Sequence, residues 1–145
     1  MSDETSYYVG LSMVAGIGPV RMRLLLDHFG SVENAWHATR GDLLATGLEA
    51  RTVEALCEMR LRNDLAAVME RLDALGVKVL TWESDNYPDR LREVEGSPPV
   101  LYVLGEITPA DGWAVAVVGT RRATPYGREA TARLTAGLAQ AGVTV

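Results

Sequence analysis

Apolar residues in the first 75 positions recur at the three- and four-residue spacing of helices. Met22, Leu25, Leu26 and Phe29 follow the i, i+3, i+4, i+7 pattern of a helix with one buried face. Pro19 suits the first turn of this helix, because its missing N–H has no helical partner there in any case. The same spacing predicts further helices around residues 8–14, through Ala35 and Trp36, around 53–59 and over about 63–75.

From Val77 the pattern changes to short apolar runs bounded by turn residues. Strands are predicted at 77–82 and 100–104. Residues 114–118 are apolar at every position, which is typical of a strand covered on both faces in a parallel sheet. We therefore expect an all-helical domain over residues 1–75 and an α/β domain over residues 76–145. Trp36, Trp82 and Trp113 are expected to be core aromatics, with partial exposure as the alternative for Trp113 because it begins a strand.

A glycine- and arginine-containing loop follows the third predicted strand. Thr124 and Pro125 form an N-cap and first-turn pair, so a helix is expected from there to about Ala141, with Gly142 at its end. Val143 would then begin another strand. Strand, loop and helix in this order are the opening of a Rossmann-type unit.

This loop has the chemistry of an anion site. A helix start favours negative charge, and the guanidinium groups of Arg121 and Arg122 donate paired hydrogen bonds to phosphate. Gly119 allows close approach of the backbone, and Gly127 leaves the first helical turn uncovered. The alternative is a solvated arginine turn in which both glycines serve only the backbone.

Two neighbouring side chains act in opposite directions on a ligand at this loop. The ring of Tyr126 is available to stack on a nucleobase, whereas the hydroxyl of Thr124 competes with a ligand for a first-turn amide.

Charge is divided unevenly along the chain, whose net charge is −5. Residues 119–145 carry four arginines against one glutamate, a net charge of +3, whereas the first 118 residues carry ten basic and eighteen acidic side chains, a net charge of −8. The overall acidity therefore does not exclude nucleic acid, because a local field attracts a local anion.

The single cysteine, Cys57, and the absence of a signal peptide or an apolar run of about 20 residues favour a cytoplasmic protein without a membrane span.

No residue pattern supports catalysis, a metal or a cofactor. His28 and His37 lack partners at metal-ligand spacing, and no Ser/His/Asp or Cys/His arrangement is present. Neither G-x-G-x-x-G nor the P-loop pattern occurs. We therefore expect a binding protein and no enzyme.

A second candidate contact is the turn Gly16-Ile17-Gly18, which resembles a helix-hairpin-helix. The amides of such a hairpin grip a DNA phosphate independently of sequence, and Arg21 is near enough in sequence to reach the backbone. The alternative is a tight turn between two helices of a docking domain, which Met22 favours because a small residue is expected there. Gly47 and Leu48 suggest a weaker structural repeat, with Glu49 in place of the second glycine.

Several short motifs, taken in order, closely resemble the DprA/Smf family of bacterial DNA-processing proteins. They are Tyr87-Pro88-x-x-Leu91, Pro98-Pro99-Val100-Leu101-Tyr102, Gly105, Val117-Val118-Gly119-Thr120-Arg121 and Thr124-x-Tyr126-Gly127. The resemblance implies a helical domain of helix-hairpin-helix or SAM-like type followed by an extended Rossmann fold. It also implies sequence-independent binding of single-stranded DNA and loading of the RecA recombinase in natural transformation, by a homodimer.

The resemblance assigns Gly119, Thr120 and Arg121 to the family's phosphate-contacting loop, with Arg122 as an extension. The family's later Ser-Gly-x-Ala segment and further βα units are missing, so we expect the N-terminal portion of a DprA-like protein, a truncated Rossmann fold. Two alternatives stay open. One is a Rossmann enzyme of the nucleotide phosphoribohydrolase type, and the other is an inactive fragment that acts only as an interaction domain.

Overall fold

The computed structural model describes residues 3–145, which divide into two compact units between Gly105 and Glu106. The first unit contains seven helices and two strands among the described residues: α1 Asp3–Ser12, α2 Pro19–Phe29, α3 Val32–His37, α4 Arg40–Ala45, α5 Ala50–Arg62, α6 Leu65–Ala74, β1 Val77–Thr81, α7 Asp89–Arg92 and β2 Val100–Leu104. The second unit contains a 3-10 turn, Pro109–Gly112, and helix α8, Pro125–Gln140. The chain is therefore a mixed, helix-rich structure.

The ends of the helices follow the capping residues that the sequence contains. Pro19 occupies the first turn of α2, and Gly30 ends that helix with φ 78°. Ser31 then caps α3 by accepting a hydrogen bond from the N–H of Asn34 at 3.1 Å. Asp64 caps α6 in the same way. The predicted helices of the first 75 residues are thus confirmed, with α6 beginning two residues later than expected.

The core of the first unit lies where α1 crosses its neighbours. α1 packs against α3, α5, α6 and β1. A Cβ atom added at Gly10 would lie 2.7 Å from the Trp36 ring and 2.9 Å from Leu65 Cδ2, so only glycine fits this crossing. The fully buried apolar side chains with no measurable exposure are Leu11, Met22, Leu25, Val32, Ala35, Leu43, Val53 and Leu56.

Arg60 is the charged side chain that enters this core. It donates hydrogen bonds to the carbonyl oxygens of Ala38 at 2.8 Å and Ala35 at 3.0 Å, and its guanidinium lies 5.6 Å from the centre of the Trp36 ring. Burial lowers the pKa of this guanidinium. Arg60 therefore satisfies carbonyl groups at the end of α3 that have no helical partner.

The sheet of the first unit is a two-stranded antiparallel ribbon. β1 pairs with β2 in a register that places Val77 opposite Leu104 and Thr81 opposite Val100. Val79 and Val100 lie on the face that joins the helical core, whereas Leu80, on the opposite face, is also buried. Both predicted strands are confirmed.

The connection between β1 and β2 is held by side chains of the two proline motifs. The buried Tyr87 donates its hydroxyl proton to the carbonyl oxygen of Pro98 at 2.7 Å, and the Trp82 indole N–H donates to Ser97 Oγ at 3.2 Å. Arg92 donates to the carbonyl oxygens of Trp82 and Ser84. Residues of these motifs therefore have structural partners within the first unit.

The second unit is organised around α8. This helix ends with Gly142 at φ 78°, where the N–H groups of Gly142 and Val143 bond to the carbonyls of Ala139 and Leu138, both at 3.0 Å. Ala114 and Thr144 then form an isolated parallel bridge on either side of the helix. The predicted helix and its glycine end are confirmed.

The expected buried strand over residues 114–118 is wrong. This segment has no strand structure beyond the bridge of Ala114, and Val118 is 91% exposed. A parallel strand becomes buried only when neighbouring strands and helices cover it. Among residues 3–145 the segment pairs only with Thr144. The strand expected at Val143 is reduced to the same bridge.

The prediction for the tryptophans is confirmed for Trp36 and wrong for Trp113. Trp36 is buried, Trp82 is half-buried, and Trp113 is 79% exposed for the same reason as the segment that it begins. The domain boundary predicted near Gly76, between a helical and an α/β domain, stays a prediction. No helix within residues 3–145 combines the length and apolar character that a membrane crossing requires.

Candidate phosphate-binding loop

The loop over residues 119–124 joins the apolar segment to the start of α8. Thr124 is the N-cap of α8. Its Oγ1 accepts a hydrogen bond from the backbone N–H of Gly127 at 3.1 Å, and its carbonyl oxygen accepts one from the backbone N–H of Arg128 at 3.0 Å. Pro125 occupies the first position of the helix and contributes no N–H. Most backbone N–H groups in the first turn of α8 are therefore already hydrogen-bonded or, at Pro125, missing. The N–H of Tyr126 is left for a ligand.

Two further backbone features define the loop. Thr120 Oγ1 accepts a hydrogen bond from the N–H of Arg122 at 3.2 Å, which closes a turn. A Cβ atom at Gly119 would meet no atom within 4 Å, and Gly119 does not have a positive φ. The fold thus places no demand for glycine at position 119, and its predicted role in close approach to a ligand stays a prediction. At Gly127 a Cβ atom would lie 3.3 Å from Thr124 Oγ1, so glycine there leaves room for the cap.

The four arginines of the second unit make no side-chain hydrogen bond or ion pair with any residue in the described range 3–145. They are Arg121, Arg122, Arg128 and Arg133, and all are exposed. By contrast, Arg21, Arg40, Arg51 and Arg62 of the first unit are paired with carboxylates, whereas Arg71 and Arg90 of that unit are exposed and are not in the ion pairs of the described residues. Because an unpaired guanidinium keeps its donors and Arg121, Arg122 and Arg128 are close together in the chain, the loop before α8 is a candidate anion site.

A groove of about 360 Å³ opens beside the loop. Its walls include Val117 and Val118 on one side, Gly119 and Thr120 at the loop, and Arg128 on α8. The structure therefore brings Gly119 and Thr120 together with an arginine that the sequence analysis did not assign to the site. The signal for Arg128 was its position in the first turns of the helix, four residues after the N-cap.

The other predicted site residues do not line this groove. Arg121, Arg122 and Thr124 lie around the loop without entering the wall of the groove. Tyr126 is 81% exposed and lines a second groove of about 300 Å³ with Glu129, Ala130 and Arg133. Of the predicted site residues, Gly119 and Thr120 thus line one groove and Tyr126 lines the other, whereas Arg121, Arg122, Thr124 and Gly127 line neither.

The candidate hairpin of the first unit has a different electrostatic character. Gly16 has φ 96°, and a Cβ atom there would lie 2.9 Å from both Arg21 Nη1 and Thr52 Oγ1. Arg21 donates to the carbonyl of Gly16 at 2.7 Å and to Glu49 Oε1 at 2.5 Å. A phosphate at Arg21 would therefore have to replace the Glu49 carboxylate. DNA contact at Gly16, Gly18 and Arg21 stays a prediction.

The turn before α5 repeats features of this hairpin. Gly47 has φ 88°, and Leu48 is buried to the same extent as Ile17. Leu56, seven residues after the N-cap of α5, is fully buried, as is Leu25 at the matching position of α2. Glu49 occupies the N-cap position that Gly18 has in the first turn. The two turns are thus alike in backbone and in burial but unlike in charge.

No group of three or more His, Cys, Asp or Glu side chains within residues 3–145 is arranged to hold a metal ion. The half-buried Cys57 makes no disulfide.

Comparison with known proteins agrees with the motif order. The family model described as DNA recombination-mediator protein A matches residues 78–145. Protein Smf from Synechocystis sp. is 30% identical over 151 residues, which cover 99% of the chain and 37% of that protein. The putative DNA processing protein DprA from Mycobacterium tuberculosis is 35% identical over 164 residues, which cover 100% of the chain and 40% of that protein.

The chain thus spans about two fifths of the length of these two relatives. A shorter match covers 37% of the chain and 9% of UvrABC system protein C from Moorella thermoacetica, with 45% identity over 53 residues. No solved structure matches the chain at comparable significance.

Proposed function

Because this chain belongs to the DprA/Smf family of DNA-processing proteins, we propose that it binds single-stranded DNA through the phosphates, independently of base sequence. The proposed site is the loop Gly119–Gly127 with the start of α8. In natural transformation the bound strand would pass to RecA recombinase, so the role is that of a non-enzymatic mediator in the cytoplasm.

The observation that carries this proposal is the groove lined by Gly119, Thr120 and Arg128. The guanidinium of Arg128 forms no ion pair with a carboxylate of the described residues, and the same holds for the neighbouring Arg121 and Arg122. Arginine binds phosphate with two parallel hydrogen bonds, and charge-assisted bonds are about twice as strong as neutral ones. Three guanidinium groups around one loop favour a polyanion over a single small anion.

The first turns of α8 contribute less than a helix start usually does. Pro125 has no N–H, and Gly127 donates to Thr124. The arginine side chains, rather than the helix amides, therefore supply most of the proposed affinity. This distribution predicts strong salt dependence, since exposed guanidinium groups act through counterion release.

Two fold assignments belong to the same proposal. The parallel bridge between Ala114 and Thr144, with α8 between them, supports a Rossmann-type βα unit. The positive φ of Gly16 and Gly47 and the matching burial of Leu25 and Leu56 support two related hairpins of helix-hairpin-helix type. Homodimer formation is proposed from the family alone.

The test measures the affinity of the 145-residue chain for a fluorescent oligonucleotide of 20 deoxythymidines over a range of salt concentrations. We expect log affinity to fall linearly with log salt, with a slope of about −0.7 for each phosphate neutralised. Arg121→Ala and Arg128→Ala should each weaken binding about tenfold and make the slope about 0.7 less negative.

Arg71→Ala is the matched control, because Arg71 is an exposed arginine of α6 in the other unit. Its removal changes the net charge equally but should leave the affinity almost unchanged. Equal losses in all three variants would show a non-specific charge effect and contradict the proposed site. Delivery of DNA to RecA is tested separately, by the rate of RecA filament assembly on oligonucleotide coated with a single-strand-binding protein.

A further inference from the structure

The groove lined by Tyr126 differs in composition from the groove lined by Gly119, Thr120 and Arg128, which we call the phosphate groove. Tyr126, Ala130 and Arg133 follow one another at intervals of four and three residues, so they lie along one side of the helix. Ala130 is the small residue between two long side chains that end in planar groups. Glu129 forms part of the wall.

The side chains of this groove are available for a ligand. Tyr126 is 81% exposed, and its hydroxyl has no hydrogen-bond partner among the described residues. Glu129 and Arg133, although four residues apart on the helix, do not form an ion pair. The Glu129 carboxylate and the Arg133 guanidinium are therefore both available to hydrogen-bond a ligand.

A planar aromatic ring and a planar guanidinium are both groups on which nucleobases stack. A phosphate alone would not use the phenol ring, and an apolar peptide would not suit the charged wall. The groove also begins at Tyr126, two residues before Arg128 of the phosphate groove. A DNA strand whose phosphates lie at the loop would therefore have a nucleobase close to the ring of Tyr126 and the guanidinium of Arg133.

We propose that the groove of Tyr126, Ala130 and Arg133 binds one nucleobase of the single strand and that Glu129 makes it favour cytosine over thymine. This inference rests on the proposed function. A carboxylate only accepts hydrogen bonds. Cytosine offers the N4 amino group as a donor, whereas thymine presents the O4 acceptor at the same place. The preference is added to phosphate binding that does not depend on sequence.

The experiment compares the dissociation constants of the 145-residue chain for oligo-dC and oligo-dT of 20 nucleotides at pH 7.5 and fixed salt. We expect oligo-dC to bind about three- to tenfold more tightly, the value of one net hydrogen bond. Glu129→Gln should bring the ratio close to one, because the amide can both donate and accept. Tyr126→Ala should weaken both oligonucleotides by about fivefold or more, and Tyr126→Phe should retain binding.

Glu70→Gln is the control for net charge, since Glu70 is an exposed carboxylate of α6 in the other unit. It should keep the wild-type ratio of the two affinities. Far-UV circular dichroism establishes that each variant retains its helices. A wild-type ratio of one, or a ratio that Glu129→Gln leaves unchanged, would overturn the inference.

The outcomes separate this inference from the proposed function. Tight, salt-dependent binding that requires Arg128 but ignores Tyr126 and Glu129 would support the phosphate site and refute the base site. Failure to bind either oligonucleotide would refute both.

Discussion

The hydroxyl of Tyr87 donates to the carbonyl oxygen of Pro98 across 2.7 Å and so connects the two proline motifs of the chain. The Tyr87 ring is 1% exposed, and Arg92 lies over it with its guanidinium 5.2 Å from the ring centre. These motifs contributed to the family assignment. Their side chains hold the connection between β1 and β2 in shape, so a structural role accounts for them without a ligand.

Tyr87→Phe should destabilise the first unit by about 1–2 kcal/mol. The substitution keeps the ring but leaves the partly buried carbonyl of Pro98 without its donor, and a polar group left unsatisfied away from water costs more than the bond contributed. Urea unfolding followed by circular dichroism measures the change. Tyr126→Phe, which removes an exposed hydroxyl, is the matched control and should lie within about 0.5 kcal/mol of wild type. Equal midpoints for the two variants would refute the structural role.

Gly10→Ala should destabilise the same unit, although alanine is the better helix former. The added Cβ atom would lie 2.7 Å from the Trp36 ring, and overpacking of a core costs about 1–3 kcal/mol. Gly41→Ala tests the opposite sign, because a Cβ atom at Gly41 in α4 would have its nearest contact at 3.7 Å. That variant should be neutral or more stable by up to about 1 kcal/mol.

Thermal unfolding of the two glycine variants provides the measurement. The midpoint should fall for Gly10→Ala and stay constant or rise for Gly41→Ala. A rise for both would mean that α1 is not tightly packed against α3 and α6.

Tyr8 should make the first unit less stable in alkaline solution. Burial, followed by the charges of Glu83 and Glu4, raises the pKa of its hydroxyl above the usual value for tyrosine, and the hydroxyl lies 3.5 Å from Glu83 Oε1. The unfolded chain therefore loses this proton near pH 10, whereas the folded chain keeps it to higher pH. In that interval the folded state binds more protons, so stability falls as the pH rises.

The measurement is the free energy of unfolding in urea between pH 8.5 and 11. We expect Tyr8→Phe to remove a slope of up to about 1.4 kcal/mol per pH unit above pH 10. Parallel curves for wild type and Tyr8→Phe would show that the Tyr8 hydroxyl does not titrate differently in the two states.

Local signals in the sequence were sufficient for most of the fold. Pro19, Gly30, Ser31 and Thr124 mark helix ends by their own backbone and side-chain chemistry, and each has the predicted position. The segment at 114–118 shows the limit of such signals. Its apolar run expresses a tendency to be buried, but burial of a parallel strand also requires neighbouring strands and helices, and within residues 3–145 the segment pairs only with Thr144.

The candidate site was predictable to a similar extent. Gly119, Thr120 and the cap at Thr124 follow from the loop's position between an apolar run and a helix. The division into two grooves was not predictable, because it depends on the directions in which Tyr126 and Arg128 leave the helix. The pairing of Arg21 with Glu49 was also missed, since the two residues are 28 positions apart.

Thr124 offers a test of how the loop and α8 depend on each other. Its Oγ1 accepts the N–H of Gly127, and loss of an N-cap hydroxyl typically costs about 1 kcal/mol. Because α8 has no buried residue among those described, little packing compensates for that loss. Thr124→Ala should therefore accelerate amide hydrogen exchange in the first turns of α8 about fivefold. Thr124→Ser, which keeps the hydroxyl, should exchange at nearly the wild-type rate. Equal protection in both variants would show that the helix start is held by contacts other than the cap.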